Sequence, residues 1–147
     1  MDERLSPGRL RQAFLDESIE FLPAVAWRAG DSPNELLYPE ASPSLGRLGV
    51  AFDAGEITLW FGHRGYHQHH TPDDTLGGEE AEADIRRAAH SAMQEVRALL
   101  ADEIVFRWGV NISSTYRRSA RRGPIARLWR RLTPWVKEAV WSGREPQ

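Results

Sequence analysis

The sequence contains no cysteine. That excludes disulfide cross-links, cysteine-ligated zinc, thiol redox chemistry and a cysteine nucleophile. No apolar run approaches the roughly 20 residues of a membrane helix. The opening MDERLSPGRLRQ lacks the apolar core of a secretory signal, so none is expected. Several catalytic signatures are missing as well. There is no G-x-S-x-G elbow, no Gly-Lys-Ser/Thr phosphate loop, no G-x-G-x-x-G fingerprint and no H-E-x-x-H. Lysine is nearly absent too, with 1 Lys against 18 Arg. What is present is 147 residues, 41% of them apolar, enough for one ordinary domain with an unstapled core.

Charge is unevenly spread. Residues 1–103 carry 19 Asp+Glu against 9 Arg, a net of −10, and residues 104–147 carry a net of +8. Such asymmetry suits two faces with different partners, or one face neutralising the other.

The pattern along the chain is that of an α+β domain. Ser6-Pro7 reads as N-cap and N1 of a helix of about 15 residues, stopped by Pro23. Ala24–Arg28 reads as a short strand, and residues 29–47, with Pro33, Pro39 and Pro43, as a long irregular loop. Leu48, Val50 and Phe52 then alternate with smaller or polar residues. After Ala54-Gly55, so do Ile57, Leu59 and Phe61. Two period-2 runs about a glycine turn predict a hairpin, and Tyr66–His70 a third strand. In 79–102, Ile85, Ala88, Ala89, Ala92, Val96, Leu99 and Leu100 form one helical stripe, with Glu79, Glu80, Glu82 and Asp84 near the positive end of the dipole. Residues 103–110 read as a fourth strand, which 111–116 extends. Pro124 and Thr133-Pro134 are helix openers for two tail helices, through Leu132 and Trp141. The expected architecture is two-layered. An antiparallel meander of about four strands packs against helices, residues 1–116 form the domain, and 117–147 form an Arg/Trp-rich helical extension packed on it.

Four of the five histidines fall in GHRGYHQHHTPDD: His63, His67, His69 and His70. Imidazole ligates metals and titrates near neutrality. On a strand, His67 and His69 project from one face about 7 Å apart. His63 approaches across the turn, and Asp73 or Asp74 offers a carboxylate, which makes zinc or iron the metals to consider. The H-x-H-x-D-H pattern of metallo-hydrolases is not met. The competing readings are a polar edge strand stacked on Trp60 or Tyr66, and a partner-binding surface. His90 lies off the apolar stripe and reads as a solvated helix residue. Ser113-Ser114-Thr115 follows a strand, with nothing to mark a nucleophile. Asp73-Asp74 and Asp102-Glu103 read as caps and turns.

From Arg117 to Lys137 there are eight positive charges and no acid. Arg117, Arg118, Arg121, Arg122, Arg127, Arg130 and Arg131, interleaved with Trp129 and Trp135, form a candidate nucleic-acid surface. The same pattern suits an anionic membrane surface, or a basic helix docked on its own acidic domain with its Arg heads in water.

Gly55, Glu56, Ile57, Thr58, Phe61, Tyr66, His67 and His69, followed by an acid-rich helix and the strand in LLADEIVFRWG, carry a resemblance. Over residues 48–110 the chain resembles small bacterial immunity proteins of polymorphic toxin systems. In some of these, a G-E-(apolar)-T-(apolar)-x-F strand leads into Tyr-His-x-His. Arg64-Gly65 before the tyrosine and the Arg/Trp tail are departures. The resemblance implies a non-enzymatic cytoplasmic protein, without a cofactor, that neutralises a cognate toxin by stoichiometric binding. The expected contact residues are Trp60, Tyr66, His67, His69 and Asp73. The alternatives are a small metal-binding protein or metal enzyme using His63, His67, His69 or His70, and a nucleic-acid-binding module.

Overall fold

The period-2 hairpin is the centre of the fold. A computed structural model describes residues 5–62, 66–109, 112–119, 132 and 135–143. In chain order the elements are α1 (Pro7–Phe21), β1 (Arg28–Ala29), β2 (Glu35–Leu37), β3 (Leu48–Asp53), β4 (Glu56–Phe61), β5 (His67–His70), α2 (Gly78–Leu100), β6 (Ile104–Gly109), β7 (Ile112–Arg117) and β8 (Lys137–Ala139). The class is α+β.

β3 and β4 pair antiparallel with Leu48 opposite Phe61 and Asp53 opposite Glu56. Gly55, at φ 82°, takes the left-handed turn conformation that a side chain would strain. The register puts Leu48, Val50, Phe52, Ile57, Leu59 and Phe61 on one face, all buried. Both helices cover that face: α1 lies on β3 and β4, and α2 on β4 and β5. Phe14 of α1 reaches Phe52 edge-on, with ring centroids 5.6 Å apart. The stripe of α2 is buried as expected, with Ala88, Ala89 and Ala92 at its centre. These small side chains let α1 approach closely.

The sheets differ from the expected single meander. There are two, a five-stranded sheet ordered β1-β2-β3-β4-β5 and a three-stranded sheet ordered β7-β6-β8. The expected strand at Ala24–Arg28 is displaced to Arg28–Ala29. The expected loop 29–47 contains β2, which pairs Leu36 with Val50 and buries Leu36. Three residues among prolines are too few to show a period. Residues 112–117 do not prolong β6. They fold back on it as β7, with Val105 opposite Tyr116.

The expected helix ending at Trp141 is replaced by β8, which pairs Ala139 with Phe106. The open edge of β6 and the burial of Ala139, Val140 and Trp141 outweigh the helix-opening signal. Within 117–147, this described portion packs on the domain. Trp141 reaches Tyr38 and Phe61, and the Ser42 hydroxyl donates to its carbonyl oxygen at 2.7 Å. The expected helix 124–132 and the opener Thr133-Pro134 lie outside the described residues, Leu132 apart.

His90 is not merely solvated. Its Nδ1 lies 2.9 Å from Glu17 Oε2 and its Nε2 2.7 Å from the Gln94 amide nitrogen. Its ring packs edge-on to Phe21. It therefore clips α1 to α2.

α2 ends in a Schellman pattern: Asp102 N–H donates to Leu99 O and Glu103 N–H to Ala98 O. Asp102 occupies the left-handed position, φ 57°, where glycine is usual. Its carboxylate explains the choice, since it accepts from Ser142 N–H at 2.8 Å and from the Ser142 hydroxyl at 2.6 Å. Asp102→Ala is expected to cost about 1–2 kcal/mol, from a worse left-handed residue and two lost bonds. Asp102→Gly is expected to be nearly neutral, because relief of the backbone offsets the bonds. Urea titration reads both changes, and hydrogen exchange should show residues 137–143 opening faster in each.

Candidate functional site

The outward-facing residues of the same hairpin build the site. Glu56, Thr58 and Trp60 alternate with the buried Ile57, Leu59 and Phe61. Register aligns Arg28, Leu37, Gly49, Trp60 and His67 across all five strands. The adjacent row is Glu35, Ala51, Thr58 and His69. The helices lie on the other face, so this one is open to solvent among the described residues, as antiparallel sheets allow. Trp60 lies flat on it because Gly49 has no side chain: a Cβ at Gly49 would overlap the indole.

His67 and His69 share the open face, with ring centroids 4.9 Å apart in an edge-on arrangement. His69 Nδ1 is 2.6 Å from Glu56 Oε1. The same oxygen accepts from the Thr58 hydroxyl at 2.7 Å. Those two hydrogen bonds, Thr58 first, hold the Glu56 carboxyl below its ordinary range. Glu56 is therefore an ionised acceptor at neutral pH, and His69 must present Nδ1–H to it. In the neutral imidazole the lone pair then sits on Nε2.

The other expected residues are elsewhere. His70 has the opposite parity and turns towards α2, where its Nδ1 lies 3.1 Å from Ser91 Oγ. Burial, and then His69, push its pKa down, so it is neutral at pH 7. Tyr66 turns inward and packs on Phe61 and Phe106 at 5.5 and 5.3 Å. Asp73 folds onto its own loop, accepting from Thr75 N–H and its hydroxyl at 2.9 and 2.6 Å. Its backbone N–H donates to Asp84, which also accepts from Arg87. Asp73 and Asp102 are thus the cap and turn residues expected of them. His63 lies outside the described residues. The structure brings together Trp60, His67 and His69, and adds Glu56 and Thr58.

Among the described residues no three or more His, Asp or Glu side chains converge as metal ligands. Among the same residues no helix is long and apolar enough to cross a membrane. Of the basic segment, Arg117 is engaged with the domain's own acids, at 3.5 Å from Glu95 and 3.7 Å from Glu103. The Arg118 backbone N–H donates to Glu103 O. Arg121, Arg122, Arg127, Arg130 and Arg131 lie outside the described residues.

Glu95 escaped the sequence reading, although it falls one turn after Ser91 on the helix. Its side chain is 19% exposed. Burial raises its pKa more than Arg117 lowers it, so the ionised form is net disfavoured despite the ion pair. A carboxyl whose folded pKa is raised supports folding fully below its unfolded pKa. That support fades as pH rises through the folded value. Glu95→Gln is therefore expected to match the parent below the carboxylate range and to equal or exceed it at neutral pH. Thermal denaturation against pH checks the sign.

No protein-family model, curated protein or solved structure matches the chain.

Proposed function

We propose that this chain is a non-enzymatic bacterial cytoplasmic protein that neutralises a protein toxin by one-to-one binding. In this reading the partner sits on the open face of the five-stranded sheet. The observation that carries it is the aligned row of Arg28, Leu37, Trp60 and His67 on a face that neither helix covers. A flat indole beside the His67 imidazole, in one row with an arginine three strands away, has the composition of an interface, where aromatic residues and Arg are enriched. The net −10 of residues 1–103 suits a basic partner such as a nuclease, and speeds encounter with it. The strand-to-histidine pattern of immunity proteins falls on this same hairpin. Sequencing the genes on either side and co-expressing the chain with any toxin domain they encode tests the proposal. The parent chain rescues growth and the pair Trp60→Ala with His69→Ala does not. Equal rescue by both refutes the surface, and failure of the parent to rescue refutes the function.

A further inference from the structure

We propose that His67 and His69, with Glu56 behind them, form a surface site for one divalent transition-metal ion of the zinc class. The inference does not rest on the toxin reading. The two imidazoles are two residues apart on β5, on one face, with ring centroids 4.9 Å apart. A strand holds such a pair at fixed spacing, so little ordering is lost on chelation. The contact between Glu56 Oε1 and His69 Nδ1, 2.6 Å, does the rest. It fixes the tautomer and leaves the Nε2 lone pair as the donor to a cation. A carboxylate behind a histidine is the common outer shell of a metal-bound imidazole. The Thr58 hydroxyl at 2.7 Å from the same oxygen holds that carboxylate in place.

Two imidazoles suit zinc, copper or nickel rather than magnesium or calcium, which prefer all-oxygen sites. Two protein ligands leave coordination positions for water, and for a side chain of a bound protein. His70 is excluded from the pair because it faces α2 and engages Ser91. His90 is excluded because it is held between Glu17 and Gln94.

Zinc titrated into the full chain by calorimetry, in a non-chelating buffer above about pH 7 where imidazole is mostly neutral, tests the proposal. Saturation near a single equivalent is expected. His67→Ala and His69→Ala should each abolish it, and His70→Gln should keep it. Glu56→Gln, which leaves both ligands in place, should weaken binding about tenfold or more. Far-UV circular dichroism confirms that each variant is folded, as expected for side chains on an exposed edge. No saturable binding in the parent would overturn the site. So would unchanged affinity in the double His67→Ala/His69→Ala variant, or in Glu56→Gln.

Discussion

Phe61→Ala is expected to lower the unfolding free energy by about 3–5 kcal/mol. Phe61 ends β4 and is 2% exposed. Its ring meets Phe106 of β6 at 5.0 Å, Tyr66 at 5.5 Å and Trp141 at 6.0 Å. It is thus the point where the five-stranded sheet, the three-stranded sheet and the C-terminal segment converge. The cavity left by truncation is walled by paired strands, which cannot collapse into it without losing ladder hydrogen bonds, so the cost should fall at the high end of the range. Guanidinium titration followed by tryptophan fluorescence measures the change. Because Trp141 loses a neighbour, its environment should loosen before the hairpin does. A loss below about 1 kcal/mol would mean that the two sheets are not joined through this ring.

The second large effect concerns binding. Trp60→Ala should weaken association with the proposed toxin partner by at least about 2 kcal/mol, roughly 30-fold in Kd. Stability should change much less, because the indole lies on the open face rather than in the core. Gly49→Ala offers an independent approach. It leaves the tryptophan in the sequence but places a methyl group where the indole rests, so the ring must lift from the sheet. If the flat indole is the contact surface, both variants lose affinity. If only Trp60→Ala does, the residue matters but its seat on Gly49 does not.

The hairpin and α2 were legible because each pattern is long and local. Six residues alternate on either side of Gly55, and the α2 stripe, Ile85 to Leu100, recurs over about four turns. β2 was hidden because Leu36 is a single buried residue in a proline-rich stretch, recognisable as a strand only through its pairing with Val50. β8 was misread because Thr133-Pro134 is a sound helix signal. What decides residues 137–139 is an edge of β6 some 30 residues earlier in the chain.

The site was legible by parity. Period 2 alone puts His67 and His69 on one face and turns His70 to the other, and the β4–β5 register brings Trp60 beside them. Glu56 was missed as a partner of His69 because they are 13 residues apart, and only the register of the β4–β5 turn brings them together. Tyr66 and Asp73 were drawn into the site by proximity in sequence. An apolar ring beside Phe106 and a carboxylate able to cap Thr75 each found a nearer partner.

The most direct test of the proposed binding surface is the dissociation constant for a toxin domain found in the genes on either side. It is measured for the parent, for the pair Trp60→Ala with His69→Ala, and for Ile19→Ala. Ile19 is 71% exposed on α1, which packs against the opposite side of the sheet. The account predicts tight one-to-one binding by the parent and by Ile19→Ala, with a loss of 30-fold or more confined to the sheet-face pair. Equal dissociation constants for all three proteins would contradict it.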